Sequence, residues 1–469
     1  MTQPQAPVTL RHTTTALAAI VFVMTTVPAP HIAVDARVTP ERWGGVAHFV
    51  RSLVEGLGHL GDGSERFSVV VADDAQRAWI EPHIGERQTL VDARVIPRAG
   101  AAPAGPSAPR GVRALLRDAV RGVGRRVFEN GDPPDAPRAE VSDGLFESLR
   151  CDVLHLPTQR FVVCATPTVY NPHDLQHLHY PQFFSAAEIE RREAVYRTGC
   201  QLARCVGVGS KWVFDDVVSS YAVDPRRVQV IPEGAPTQFA AAPDAAAQRA
   251  VREKLGLPES FILYPAVAWP HKNHIRLFEA LRALRDGGLT IPLVCTGAPF
   301  APFWPAVQSS LASLELGSQV QFLGFLPEHE LTAVFGLARA LVLPSLFEAS
   351  SLPIFEAWRA GLAVASTNAT ALPEQVVDGA LLFDPLDVAS IADAVQRIWT
   401  DAELRTALIG RGAARLRAFD WRQTARGYRA VYRRIAGVRL TDEDRWLLSW
   451  TSMADAGSAP PPSVREHRA

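Results

Sequence analysis

The 469-residue chain is longer than one ordinary core supports and has the length of two domains of about 200 residues each. Its 47% hydrophobic and 21% charged residues describe a globular chain, and a formal net charge of -1 gives no electrostatic case for nucleic acid as a partner. Five cysteines (Cys151, Cys164, Cys200, Cys205, Cys295) are odd in number and contain no C-x-x-C pair, which argues against a disulfide framework and a zinc site and fits a reducing cytoplasm.

From the N-terminus, the apolar run Ala16 to Met24 is too short to span a bilayer, and residues 1 to 30 read as an N-terminal extension rather than a cleaved signal. His31 to Asp35 predicts a buried strand. Gly44 and Gly45 then open the helical pattern Val46, Phe49, Val50, Leu53, Leu57, a strand-turn-helix unit compatible with phosphate but equally with an ordinary turn. A further strand is predicted at Phe67 to Ala72. Val112 to Phe128 predicts a helix with Arg113, Arg117, Arg121 and Arg125 on one face and apolar residues on the other. Such a face suits peripheral contact with an anionic membrane, here the inner face of the cell membrane; a solvated arginine face on a domain helix is the competing reading.

Strands are predicted at Val153 to Leu156 and Pro167 to Tyr170, the second running into the polar cluster Asn171-Pro172-His173-Asp174-Leu175-Gln176-His177. Val206 to Ser210, a helix from Lys211 to Tyr221 and Val228 to Pro232 continue the alternation. The Ala/Pro-rich stretch 236 to 250 reads as a linker between a domain at 31 to 235 and a second at 251 to 420.

The second domain opens with the strand Phe261 to Tyr264, the loop Pro265 to His274 and a helix from Ile275. Lysine is rare here: Lys211, Lys254 and Lys272 are three of 48 basic residues. Lys272 stands directly before a helix, where an ammonium can hold a diphosphate. Strands ending in glycine are expected at Leu293 to Gly297 and Val320 to Leu326. The stretch Leu341 to Pro385 begins with another short strand, passes a loop bearing Glu348, and enters a helix with Ser350 and Ser351 as caps, Pro353 in its first turn, Glu356 next and Gly361 as its stop. Two carboxylates beside free helix amides can face one phosphate-bearing, hydroxyl-bearing ligand, although first-turn glutamates are also common without one. A last amphipathic helix, Trp421 to Ile435, precedes a tail at 437 to 469 whose end lacks core-forming residues. Asp442-Glu443-Asp444 within it reads as a solvated charge run rather than a metal motif.

The residues Pro344, Ser345, Glu348, Leu352, Pro353, Glu356, Ala357, Gly361, Leu372, Pro373, Glu374, Phe383, Asp384 and Pro385 fall in register with P-S-x-x-E-G-x-G-L-P-x-x-E-A…L-P-E…F-D-P. This stretch resembles the nucleotide-binding half of the retaining, family-4 type glycosyltransferases. His173, Asp174, Leu175, Leu178, Tyr180 and Pro181 match the same family's H-D-L-x-x-L-x-Y-P loop, and Trp269-Pro270-His271-Lys272-Asn273-His274 is similar to its mannosyl- and rhamnosyltransferase subgroup. Two departures stand out. Ala349, Ser350 and Ser351 replace a glycine-rich turn, and Ala266 stands where an arginine is usual, a cation that His271 or His274 could partly replace.

The resemblance implies the GT-B fold: two Rossmann-like, doubly wound α/β domains facing across a cleft, with 421 to 436 crossing back to the first. It implies a metal-independent transfer with retention, from a nucleotide-sugar donor to a glycan or lipid-linked acceptor, with mannose from GDP-mannose as the expected donor and surface polysaccharide or glycolipid as the product. His173 would contact the transferred sugar and Asp174 orient it or stabilise the loop, while Lys272 and Glu348 face the donor phosphate and sugar. Gly44, Gly45, Gly297, Ser351 and Leu352 would line the nucleotide-sugar site, Phe325 and Leu326 the base, and Glu356 the ribose. A GT-B epimerase or phosphorylase, or an inactive nucleotide-binding partner protein, are the alternatives.

Overall fold

The structure, a computed structural model, describes residues 29–39, 44–98, 139–236 and 244–458. The run Ala16 to Met24, the basic segment Val112 to Phe128, part of the expected linker and the last residues of the tail lie outside the described residues.

In the N-terminal half, His31–Asp35 (β1), Arg66–Val71 (β2), Gln88–Asp92 (β3), Val153–Leu156 (β4), Thr168–Tyr170 (β5), Cys205–Val208 (β6) and Val228–Val230 (β7) form one parallel sheet in the order β3-β2-β1-β4-β5-β6-β7. Its inner strands are mostly apolar because both faces are covered, whereas β3 at the edge is more polar and partly exposed. On β1, Ile32 and Val34 pack with Phe49 and Leu53 of the helix Gly45–Gly58 (α1), whereas Ala33 faces Leu154, Tyr170 and Tyr196 on the other side.

The C-terminal half repeats the plan. Ile262–Pro265 (β8), Leu293–Thr296 (β9), Val320–Phe322 (β10), Ala340–Leu343 (β11), Ala363–Thr367 (β12) and Leu381–Phe383 (β13) form a parallel sheet ordered β10-β9-β8-β11-β12-β13. In each sheet the strand order reverses beside the first strand, between β1 and β4 and between β8 and β11, and a crevice opens there at the carboxyl ends.

Four helices border or brace these crevices: Lys211–Tyr221 (α2), His274–Asp286 (α3), Leu352–Arg359 (α4) and Trp421–Ile435 (α5). Helix α5 lies on the N-terminal domain, burying Trp421, Ala425, Tyr428, Val431 and Tyr432 against the α1 side of the sheet. Its polar anchors are buried too. His155 Nδ1 meets Tyr432 Oη at 2.7 Å, and Asn171 Nδ2 donates to Tyr428 Oη at 2.7 Å.

Two expectations need correction, the linker and the charge run, and the tail takes a defined course. The interdomain stretch is helical from Ala245 to Leu255, capped by Asp244, so it shortens towards its first half. The tail is folded as far as residue 458: Asp442–Leu448 is a helix (α6), and Leu447, Trp450 and Met453 enter the core of the C-terminal domain. Asp444 is therefore not a solvated charge. It caps α6 reciprocally with Thr441 and, 1% exposed, receives Arg433 Nη1 at 3.0 Å, while Arg433 Nε reaches Glu65 Oε1 at 2.5 Å.

Candidate active site

The carboxyl ends of β8 and β11 build the C-terminal wall of the cleft. After β8 the chain makes a short turn over Pro270–Lys272 and enters α3 through Asn273, whose backbone is left-handed at φ 60°. Buried Asn273 fixes that turn. Its Nδ2 donates to the carbonyls of Pro344, at 3.0 Å, and Pro385, at 2.8 Å, so the lysine loop is pinned to the ends of β11 and β13. Lys272 Nζ then lies 2.5 Å from Glu348 Oε1, both side chains largely withdrawn from solvent. A cation and an anion converge on the switch point of this sheet.

The glutamate loop is held from the far side by Thr370 and by Gln375 of the short helix Leu372–Val376. Thr370 Oγ1 donates to the carbonyl of Glu348 at 2.6 Å and accepts from its amide at 3.0 Å, and Gln375 brackets Ser351 by bonding its amide and carbonyl, each at 2.8 Å. Ser351 occupies the N-cap position of α4, but contrary to the capping expected of Ser350 and Ser351, neither hydroxyl caps the helix: both are buried without a hydrogen-bond partner among the described residues. With Pro353 in the first turn, the amino end of α4 keeps its dipole and first-turn amides for a ligand.

Glu356 lies in that helix with no hydrogen bond to its carboxylate among the described residues. Burial pushes its acid up to about 7, against the pull of Arg359 and with the repulsion of Glu328 adding to it. A desolvated, unpaired carboxylate at neutral pH is a poor structural element and a good acceptor for vicinal hydroxyls. The other residues expected on this wall behave differently from one another. Gly297, at φ 100°, sits so close to the Ala266–Val267 backbone that an added Cβ would lie 2.7 Å from it, so it serves the packing of two loops. Phe325 is 85% exposed, whereas Leu326 is in the core at 8%. Leu352 is half-buried against the core.

Neither histidine is favoured as a cation beside Ala266. Burial, with Lys272 next to it, pushes His271 well below its ordinary value and His274 to about 3, and His274 is sealed between Tyr264 and Phe322.

The N-terminal wall carries His173 at the carboxyl end of β5. Its backbone is left-handed, φ 65°, a conformation unfavourable for histidine and held by its surroundings. Nε2 donates to the Pro157 carbonyl at 2.9 Å, Phe49 of α1 meets the ring edge-on at 5.0 Å, and Nδ1 faces Glu233 Oε1 at 3.9 Å. Burial opposes the imidazolium, but Glu233 and the Pro157 carbonyl outweigh it and raise the histidine above its usual range. Asp174 Oδ1 accepts from the Gln176 amide at 3.0 Å and so stabilises the loop. Gly44, at φ 46°, and Gly45 start α1 one turn before Phe49, with open space where a Cβ would project.

The two walls meet. Tyr180 Oη donates to the Leu346 carbonyl at 3.1 Å, and the Phe347 ring lies against His179 and Trp212 at 5.6 and 5.3 Å. The histidine loop is thus joined to the glutamate loop.

The same architecture occurs across 87% of this chain and 99% of a glycosyltransferase from Rickettsia africae, with a TM-score of 0.59 at 14% identity. The fold is GT-B. Within this GT-B chain, residues 247–415 match the family glycosyl transferases group 1, a span that contains Lys272, Glu348 and Glu356. The O-antigen chain mannosyltransferase B of Escherichia coli is 29% identical over 181 residues, 37% of this chain and 46% of that protein. The serotype-specific mannosyltransferase WbdA of Escherichia coli is 29% identical over 243 residues, 51% of this chain and 28% of that protein. The chain thus spans less than half the length of these two relatives.

Three residues of the site escaped the sequence reading, Glu233, Thr370 and Gln375, while Asn273 and Glu374 were matched to motifs without a role. Glu233 follows β7 directly in Pro-Glu-Gly, a signal that the end of a sheet strand was near. The others act through contacts that only the fold creates.

Proposed function

We propose that this chain is a retaining glycosyltransferase that moves mannose from GDP-mannose to a hydroxyl of a glycan or lipid-linked acceptor in surface polysaccharide synthesis, without a metal cofactor. The observation that carries the reading is the convergence of Lys272, Glu348, unpaired Glu356 and the uncapped amino end of α4, joined through Leu346 and Tyr180 to the loop of His173. The match of residues 247–415 and the two mannosyltransferase relatives support the reaction class and the sugar.

In this reading the ribose hydroxyls donate to Glu356 and the diphosphate lies at the amino end of α4. Charge builds on the leaving phosphate as the glycosidic bond breaks, and Lys272 together with the fixed amides stabilises it more than the ground state. Glu348 holds Lys272 in place until the phosphate competes for it. The acceptor hydroxyl approaches on the face from which the diphosphate departs and gives its proton to the departing phosphate, which accounts for retention. His173 holds the sugar through its Nδ1 side, because Nε2 is committed to Pro157. Acceptor and membrane contact, where an acceptor is lipid-linked, would fall to the N-terminal domain.

The test is release of nucleoside diphosphate from GDP-mannose, UDP-glucose and their relatives with mannose-terminated oligosaccharides, followed by NMR of the new anomeric centre. Acceptor-dependent GDP release with an α-linked product supports the reading. A β-linked product removes retention, and release confined to another donor removes mannose.

A further inference from the structure

One short segment, residues 370–375, ties the donor loop to both domains. Thr370 and Gln375 bind the backbones of Glu348 and Ser351. Glu374, between them, faces the other way. Its Oε1 accepts from the Trp212 amide at 2.7 Å and its Oε2 from the Lys211 amide at 2.9 Å, both at the amino end of α2 in the N-terminal domain. Oε2 also accepts from Ser452 Oγ at 3.0 Å and the Met453 amide at 3.2 Å in the tail. Arg415 closes the arrangement by donating to the carbonyls of Glu374, Gln375, Met453 and Ala456.

This carboxylate therefore completes the cap of a helix in the opposite domain. Ser210 caps only the Val213 amide of α2, and Glu374 takes the two preceding amides, where an anion also meets the positive end of the dipole. Nearby, Phe347 inserts among His179, Tyr180 and Trp212, so the ring beside Glu348 and the carboxylate that braces its loop both meet the start of α2, and the ring reaches the histidine loop as well.

We propose that Glu374 is a positioning residue for sugar transfer: it fixes the donor loop against the N-terminal domain, so that Glu348 and Ser351 are held opposite His173. The proposal rests on the transferase reading of the cleft. The nucleotide would be bound by Lys272, α4 and Glu356, all within the C-terminal domain, whereas transfer needs both walls at once. Loosening the brace therefore separates binding from turnover.

The experiment uses the full chain as wild type, Glu374→Ala, Glu374→Gln and Lys211→Ala, the last keeping the backbone N–H while removing a side chain outside the site. Amide hydrogen exchange, GDP and UDP affinity, and kcat and KM for the donor are measured. Glu374→Ala should lose protection at Lys211, Trp212 and Met453, keep nucleoside diphosphate affinity and donor KM within about threefold, and lose about tenfold or more in kcat. Glu374→Gln, which keeps one accepting oxygen, should fall between, and Lys211→Ala should match wild type. An unchanged kcat overturns the proposal, as does a parallel loss of kcat and nucleotide affinity, the signature of general damage. Should Glu374→Ala fail to fold, Glu374→Gln decides by the same criteria. A wild type that turns over no nucleotide-sugar defeats the transferase reading instead; unaltered protection at the three amides in Glu374→Ala would then defeat the brace on its own.

Discussion

At the scale of single residues, Glu356 is a side chain of the candidate site whose chemistry the fold changes. Its acid is raised from 4.5 to about 7, so the folded state binds a proton that the unfolded chain has already released between those values. Its ionisation therefore costs stability as pH rises through that window, by about 3 kcal/mol at most when each unit is worth about 1.4 kcal/mol. Glu356→Gln should melt higher than wild type at pH 8 and level with it at pH 4, a difference read by calorimetry. Ribose hydroxyls favour the ionised form, so nucleotide affinity should tighten from pH 6 to pH 8, with proton release visible as a buffer-dependent heat. His173 has the same direction with pH, as a favourable contribution that is lost rather than a penalty that appears. Glu233 favours its imidazolium, so that contribution is present at low pH and lost as pH rises through the raised value. Glu233→Gln should lower the His173 titration in NMR, and an unmoved titration would show that Glu233 does not govern it.

Among elements, ten of the thirteen strands in the two sheets were legible because parallel strands covered on both faces leave short apolar runs separated by helical periodicity, whereas the edge strand β3 and strands β12 and β13 were not read. Loop conformations were less so. Ser350 and Ser351 had the composition of caps, yet Gln375 takes the backbone of Ser351 and leaves both hydroxyls unpartnered, a tertiary contact that outweighs local preference. The residues around Asp444 misled for a related reason: three consecutive carboxylates look solvated until Arg433, a distant partner on α5, is placed over one of them. That ion pair is buried, and removing one partner strands the other. Asp444→Ala should cost about 3 kcal/mol or more in chemical denaturation, well beyond the loss of a helix cap alone. Asp442→Ala, at an exposed pair with Arg445, should be nearly neutral.

Over the whole molecule, each half of the chain supplies what the other lacks. The C-terminal domain carries Lys272, Glu356 and the uncapped start of α4, the N-terminal domain a strained histidine, and Tyr428, Tyr432 and Met453 anchor helix α5 and the tail. Candidate residues on the nucleotide side could be read from the sequence because they cluster in two segments. The brace of Glu374, Thr370 and Gln375 could not, since its partners lie 22 to 163 residues away.

The central claim, that Lys272, Glu356 and the amino end of α4 form a nucleotide site, is tested most directly by thermal stabilisation with nucleoside diphosphates. Wild type, Lys272→Ala and Glu356→Ala are melted with GDP, UDP and ADP at millimolar concentration. Binding to the folded state raises the melting temperature by mass action. The predicted result is a shift with one nucleotide, GDP first among them, that is lost in both variants. No shift with any nucleotide, or a shift that survives in both variants, would contradict the claim.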